Sequence, residues 1–123
     1  MRMTKNRQDV YNLISNSEVP LTAYEISHLL PHISLTTVYR SLEQLVETGS
    51  IRYFVLNNFK YYYVNSEHRH FFQCTKCRRL FSVDECYMEP YEKKIEEHFG
   101  FKVSEHFVFF TGLCRDCQKE VEV

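Results

Sequence analysis

The chain has 123 residues, 44% of them apolar, and a formal net charge of −1. That length fits one ordinary domain or two small ones, and that apolar share excludes a disordered chain. The near-neutral balance excludes a generic polyanion binder. Residues 1–66 carry six Lys/Arg against five Asp/Glu and residues 67–123 carry nine against eleven. Binding to nucleic acid therefore has to come from a local arrangement of charge or from an added cation. No apolar run approaches a membrane span, and the polar opening "MRMTKNRQDVYNLI" lacks a signal-peptide core, so a cytoplasmic location is expected.

Taken in chain order, Val10, Leu13 and Ile14 recur at helical spacing within Thr4–Ser17, with Thr4 as the N-cap. "SEVPLT" interrupts the pattern. Thr22, with Glu25 three residues on, forms a capping box ahead of the short helix "AYEISHLL", which stops at Pro31. Ser34 begins a third helix, "LTTVYRSLEQLVETG", whose Val38, Leu42, Leu45 and Val46 line one face and which Gly49 ends. Two strand-like runs, "SIRYFVL" and "KYYYVN", flank "NNF" as a hairpin turn. Three short helices and a hairpin predict a winged helix-turn-helix over residues 1–66, with the boundary at Asn65–Glu67.

Residues 67–123 read as a strand "HRHFFQC", a cysteine knuckle, a strand "RLFSV", a helix over Glu89–Phe99 ended by Gly100, and a strand "KVSEHFVFFTG". The predicted fold class is thus α+β. The second unit is small enough that a metal cross-link or a dimer partner must supplement its core.

Four of the five cysteines form two C-x-x-C pairs, Cys74/Cys77 in "CTKC" and Cys114/Cys117 in "CRDC", with 36 residues between the pairs. In a chain without an export signal such pairs favour metal over disulfides. Each pair can point two sulfurs at one ion, and together they complete an all-thiolate tetrahedron without an open position, the pattern of structural Zn2+. Buried or redox-active thiols are the competing reading. Cys86 has no sequence partner and reads as a small buried residue.

His68 and His70 are then left over. Two apart on a strand, they face one side. His106 on the last strand and Glu89 at the helix start are candidates to complete a site for Zn2+, with Fe2+, Mn2+ or Co2+ also compatible. Blander readings exist for each: a polar strand face, a carboxylate favourable at a helix N-terminus, a hydrogen-bonded core histidine. In the first unit the third helix opens with Ser34, Thr36 and Thr37, followed by Tyr39 and Arg40, residue types that meet base edges, thymine methyls and phosphate in a major groove. Arg2, Lys5 and Arg7 form a basic arm that can reach the DNA backbone or minor groove. A solvated helix start with a core tyrosine is the alternative.

"SLTTVYRSLEQLVETGSI", the histidines ahead of "CTKC", and "HFVFFTGLCRDC" resemble the ferric uptake regulator superfamily over nearly the whole chain. The resemblance implies a winged-helix DNA-binding domain, a small α/β dimerisation domain, and metal-dependent repression of operator DNA. It also implies structural Zn2+ at Cys74, Cys77, Cys114 and Cys117. A second, sensor-type site falls in register on His68, His70, Glu89 and His106, for Zn2+ or Fe2+, with Mn2+ or Ni2+ as further options. The family's interdomain site falls in the same register on Pro20, Tyr62, Arg69, Phe71 and Ser82, none a good ligand, so it is expected to be absent. A one-residue gap at Gln73 would place His68 and His70 there instead and still leave the other three positions without ligands. That departure tells against peroxide sensing and leaves the histidine site as the sensor, leaning toward zinc.

The expected protein is a homodimeric repressor on palindromic duplex DNA, with no membrane association, no small-molecule substrate and no enzymatic activity. Metal at the second site is expected to order the hinge at Asn65–Glu67. Competing expectations are a constitutive DNA-binding protein with purely structural zinc and a thiol redox or peroxide regulator.

Overall fold

The computed structural model describes residues 4–64 and 70–121. The chain divides into two compact units, Met1–Glu67 and His68–Val123.

The first unit starts with α1 (Lys5–Asn16), α2 (Ala23–Leu29) and α3 (Leu35–Glu47). Each begins where a side chain satisfies an otherwise orphaned N–H. Thr4 accepts from Arg7, and Ser34 accepts from Thr37. At α2 the box is complete: Thr22 Oγ1 accepts from the Glu25 N–H at 3.2 Å and Glu25 Oε1 from the Thr22 N–H at 2.9 Å. Gly49 ends α3 in the left-handed region, at φ 76°. The faces presented by Val10, Ile14, Ile26, Val38, Leu42 and Leu45 meet in one aliphatic core, closed by Leu21, Ile33, Ile51 and Tyr62.

The wing is an antiparallel hairpin of β1 (Arg52–Leu56) and β2 (Phe59–Tyr63). Leu56 pairs with Phe59, so the turn is Asn57–Asn58 alone and Phe59 belongs to the strand rather than to the loop. Both asparagines have positive φ, 54° and 69°, the combination a two-residue hairpin turn demands and asparagine tolerates. Leu21 adds a short third edge through two bonds with Tyr62, fixing the entry of α2 against the wing.

In the second unit β3 (His70–Cys74) is central. It pairs antiparallel with β4 (Leu80–Val83) and parallel with β5 (Phe109–Gly112). The crossover from β4 to β5 contains α4 (Glu89–Phe99), stopped by Gly100 at φ 70°. The predicted long last strand contracts to four residues. Residues 101–108 lie outside any ladder because α4 holds them instead: the Val103 N–H donates to Glu96 Oε2 at 3.0 Å, and His106 bonds the Glu92 carboxylate. After β5 a helix absent from the sequence reading, α5 (Arg115–Val121), continues the second knuckle. Among the described residues α4 buries no side chain. The buried apolar cluster of this unit is Cys74, Cys114 and Cys117, with Phe72 and Phe81 packed on it.

Candidate metal centres

Cys74 ends β3, and the chain reverses immediately. The Arg78 N–H donates to the Cys74 carbonyl at 3.0 Å, and Arg78 adopts φ 67° to close the knuckle. Parallel pairing sets Cys74 opposite Gly112. Thr75 locks that register by donating to the Gly112 carbonyl from both its N–H (2.7 Å) and its hydroxyl (3.1 Å). A Cβ at Gly112 would stand 3.4 Å from the Phe72 ring, about ordinary contact distance. Two residues on, Cys114 immediately precedes α5, its carbonyl accepting from the Gln118 N–H at 3.0 Å, and Cys117 follows in the first turn, three residues later.

The consequence is that all four Sγ atoms lie within 4.8 Å of one another. Cys77 Sγ and Cys114 Sγ are 3.9 Å apart. The edge of a tetrahedron with Zn–S bonds of 2.3 Å is about 3.8 Å, so the sulfurs fit such an ion. Their acidities point the same way. Burial pushes the Cys74 thiol up, but N–H donors at Cys114, Cys77 and Lys76 outweigh it and hold it down at about 5. The Arg79 guanidinium lowers Cys77. Burial and the neighbouring sulfurs push Cys117 up to about 12. Four sulfurs so close cannot all ionise unless a cation compensates them, and a divalent ion supplies that compensation. Arg79 also reaches Asp116 at 3.3 Å, tying the two knuckles at the surface.

A second cluster stands apart from the first. His70 is buried at the start of β3. His106 arrives on the 101–108 segment, and Cys86 lies between β4 and α4. His106 Nε2 is 3.2 Å from His70 Nε2 and 3.2 Å from Cys86 Sγ. These three donor atoms are mutually within 4.8 Å. Two imidazole nitrogens on one tetrahedral zinc stand about 3.3 Å apart, so the pair of histidines fits as well. The Glu92 carboxylate bonds His106 Nδ1, which orients the ring and leaves Nε2 toward the cluster.

Of the four residues expected for this site, the structure brings His70 and His106 together, and His68 lies outside the described residues. Glu89 is elsewhere: its side chain is 82% exposed and pairs with Lys93 at 3.6 Å along the helix. Glu89 was the expected carboxylate because it starts the helix and falls in the family register; one turn further along α4, it is Glu92 that reaches His106. Cys86, which carried no motif, takes a place in the cluster.

On α3, Thr36, Tyr39 and Arg40 are exposed, whereas the hydroxyls of Ser34 and Thr37 are engaged in the helix cap. Tyr39 meets Tyr24 edge-on at 6.5 Å, and Tyr24 meets Phe59 of the wing at 6.3 Å. Desolvation and the Tyr24 hydroxyl push the Tyr39 phenol above its usual range, keeping it a donor. Lys5 is exposed, Arg7 half-buried, and Arg2 outside the described residues. Among the described residues, no helix is long and apolar enough to cross a membrane.

A winged helix followed by an α+β unit with a four-cysteine cluster able to hold a metal is the architecture of a class of transcription regulators. The chain belongs to the ferric uptake regulator family, whose sequence pattern matches residues 1–111. It is 30% identical over 137 residues to the ferric uptake regulation protein of Bacillus subtilis, covering 98% of this chain and 89% of that one. It is 27% identical over 126 residues to the peroxide operon regulator of the same organism, covering 98% and 86%. The peroxide stress regulator of Campylobacter jejuni superposes with a TM-score of 0.71 at 27% identity, over 90% of this chain and 87% of that one. The Helicobacter pylori ferric uptake regulator, a protein with three functional metal-binding sites, shares the fold with a TM-score of 0.82 at 21% identity, over 96% and 83%. Its relatives carry both ferric and peroxide names, so kinship establishes a transcription regulator and leaves the signal to the site itself.

Proposed function

We propose that this protein is a metal-dependent transcriptional repressor that binds palindromic operator DNA as a homodimer in the cytoplasm. The observation that carries the proposal is the separation of two ligand clusters in one small unit. The four cysteines form a closed set, suited to structural Zn2+. The cluster around His70 and His106 is a second set, suited to an exchangeable ion, Zn2+ or Fe2+ first, with Mn2+ or Ni2+ as further options. His68 is the proposed additional ligand of that site. Glu89 is not included, because its carboxylate is paired with Lys93 at the surface.

Exposed Tyr91, Phe99, Phe101 and Phe107 support dimerisation through the second unit, since side chains of this size gain by leaving water. Two copies present two α3 helices about a two-fold axis, and Thr36, Tyr39 and Arg40 are the proposed DNA contacts. Metal on His70 and His106 holds the start of β3 against the segment after α4. The ordering cost that DNA binding would otherwise bear is then met by the metal.

The test starts from protein holding one zinc per chain in its cysteine centre, with a duplex selected from a random-sequence pool. A second equivalent of the sensed ion should tighten binding by roughly 5–150-fold, the usual range of such coupling. His106→Ala should remain a folded dimer and lose the response. Equal affinity with one and two ions per chain would sink the sensor reading and leave a constitutive DNA-binding protein.

A further inference from the structure

The second cluster contains a residue that neither the family register nor the expected ligand set includes. Cys86 lies between β4 and α4, partly buried, with its Sγ 3.2 Å from His106 Nε2. His106 Nε2 is equally close to His70 Nε2, so the sulfur and both nitrogens face one point rather than forming an extended chain. Glu92 holds His106 by Nδ1, which keeps the proton on that side and the Nε2 lone pair toward the point. The carboxylate expected for the site, Glu89, is exposed and engaged with Lys93.

We infer that Cys86 is a direct metal ligand of the sensor site, in the place expected for Glu89, so that this site is a histidine–thiolate site selective for thiophilic borderline ions. The inference rests on the sensor reading above and specifies its ligand chemistry. A thiolate gives one negative charge to a divalent ion and Glu92 places another behind His106, so the site offsets 2+ without Glu89. Sulfur contributes to Zn2+ and Co2+, and little to Mn2+, which prefers oxygen donors. The cysteine therefore sets the metal specificity: the signal is zinc or an ion of similar softness rather than manganese.

The test is cobalt(II) added to protein that retains one zinc per chain. Zinc is counted after gel filtration to show that the cysteine centre has not exchanged. Wild type should show visible d–d bands together with a near-ultraviolet thiolate-to-cobalt charge-transfer band. Cys86→Ser should keep weaker d–d bands and lose the charge-transfer band. Its zinc affinity at this site should fall by more than the roughly 10–100-fold that loss of a supporting partner costs. Its manganese affinity should change little, so the zinc-to-manganese preference collapses. Cobalt d–d bands without charge transfer in wild type would overturn the thiolate ligand and leave the sensor reading standing. Charge transfer that persists in Cys86→Ser would do the same. No cobalt bound beside the retained zinc would overturn both.

Discussion

The first unit buries aliphatic side chains from three helices together with Tyr62 of the hairpin, whereas the second buries Phe71 and three cysteines, with two further aromatic rings packed on the cysteines. The difference shows in the helices. Leu42, Leu45 and Val38 of α3 are fully buried, while α4, almost as long, buries nothing among the described residues. One unit is held by area removed from water; the other lacks that area and needs cross-links. Structural zinc in small cysteine peptides contributes on the order of 10–16 kcal/mol in apparent binding energy, enough to replace a missing core.

The largest expected effect follows directly. Cys114→Ser leaves three sulfurs for a four-sulfur centre and should unfold the second unit. A calorimetric scan should then show a transition for the first unit and none for the second. Leu42→Ala should act on the other side of the comparison, costing about 2–5 kcal/mol in the first unit through the cavity it leaves. Zinc content and near-ultraviolet signals from the second unit should not change. If Leu42→Ala releases zinc, or Cys114→Ser lowers the stability of the first unit as much as that of the second, the two units are not held independently.

Local features were legible in the sequence. Thr4, Thr22 and Ser34 cap their helices because capping needs only the next three residues. The two cysteine pairs were legible because three-residue spacing places two sulfurs on one side of a turn. His70 and His106 stood out by residue type. What escaped depends on long-range geometry. Cys86 and His106 are 20 residues apart and meet only through the path of the chain around α4. Glu89 was chosen for its place at the helix start, and spacing alone could not show that Glu92, one turn on, is the carboxylate that meets His106. The last strand is shorter than its alternation implied because Glu96 and Glu92 draw residues 101–108 away from the sheet. The helix α5, "RDCQKEV", has no apolar period to announce it. In the wing, asparagine's tolerance of positive φ at both Asn57 and Asn58 moved Phe59 from turn to strand.

Amide hydrogen exchange on the full chain, with and without its cysteine-bound zinc, tests most directly the claim that metal stands in for a core in one unit only. After zinc removal, amides of β3, β5 and α5 should exchange at rates close to those of an unfolded chain. Amides from Val38 to Leu45 should keep their protection. Retention of protection in β3 and β5 without zinc, or its simultaneous loss in α3, would contradict the account.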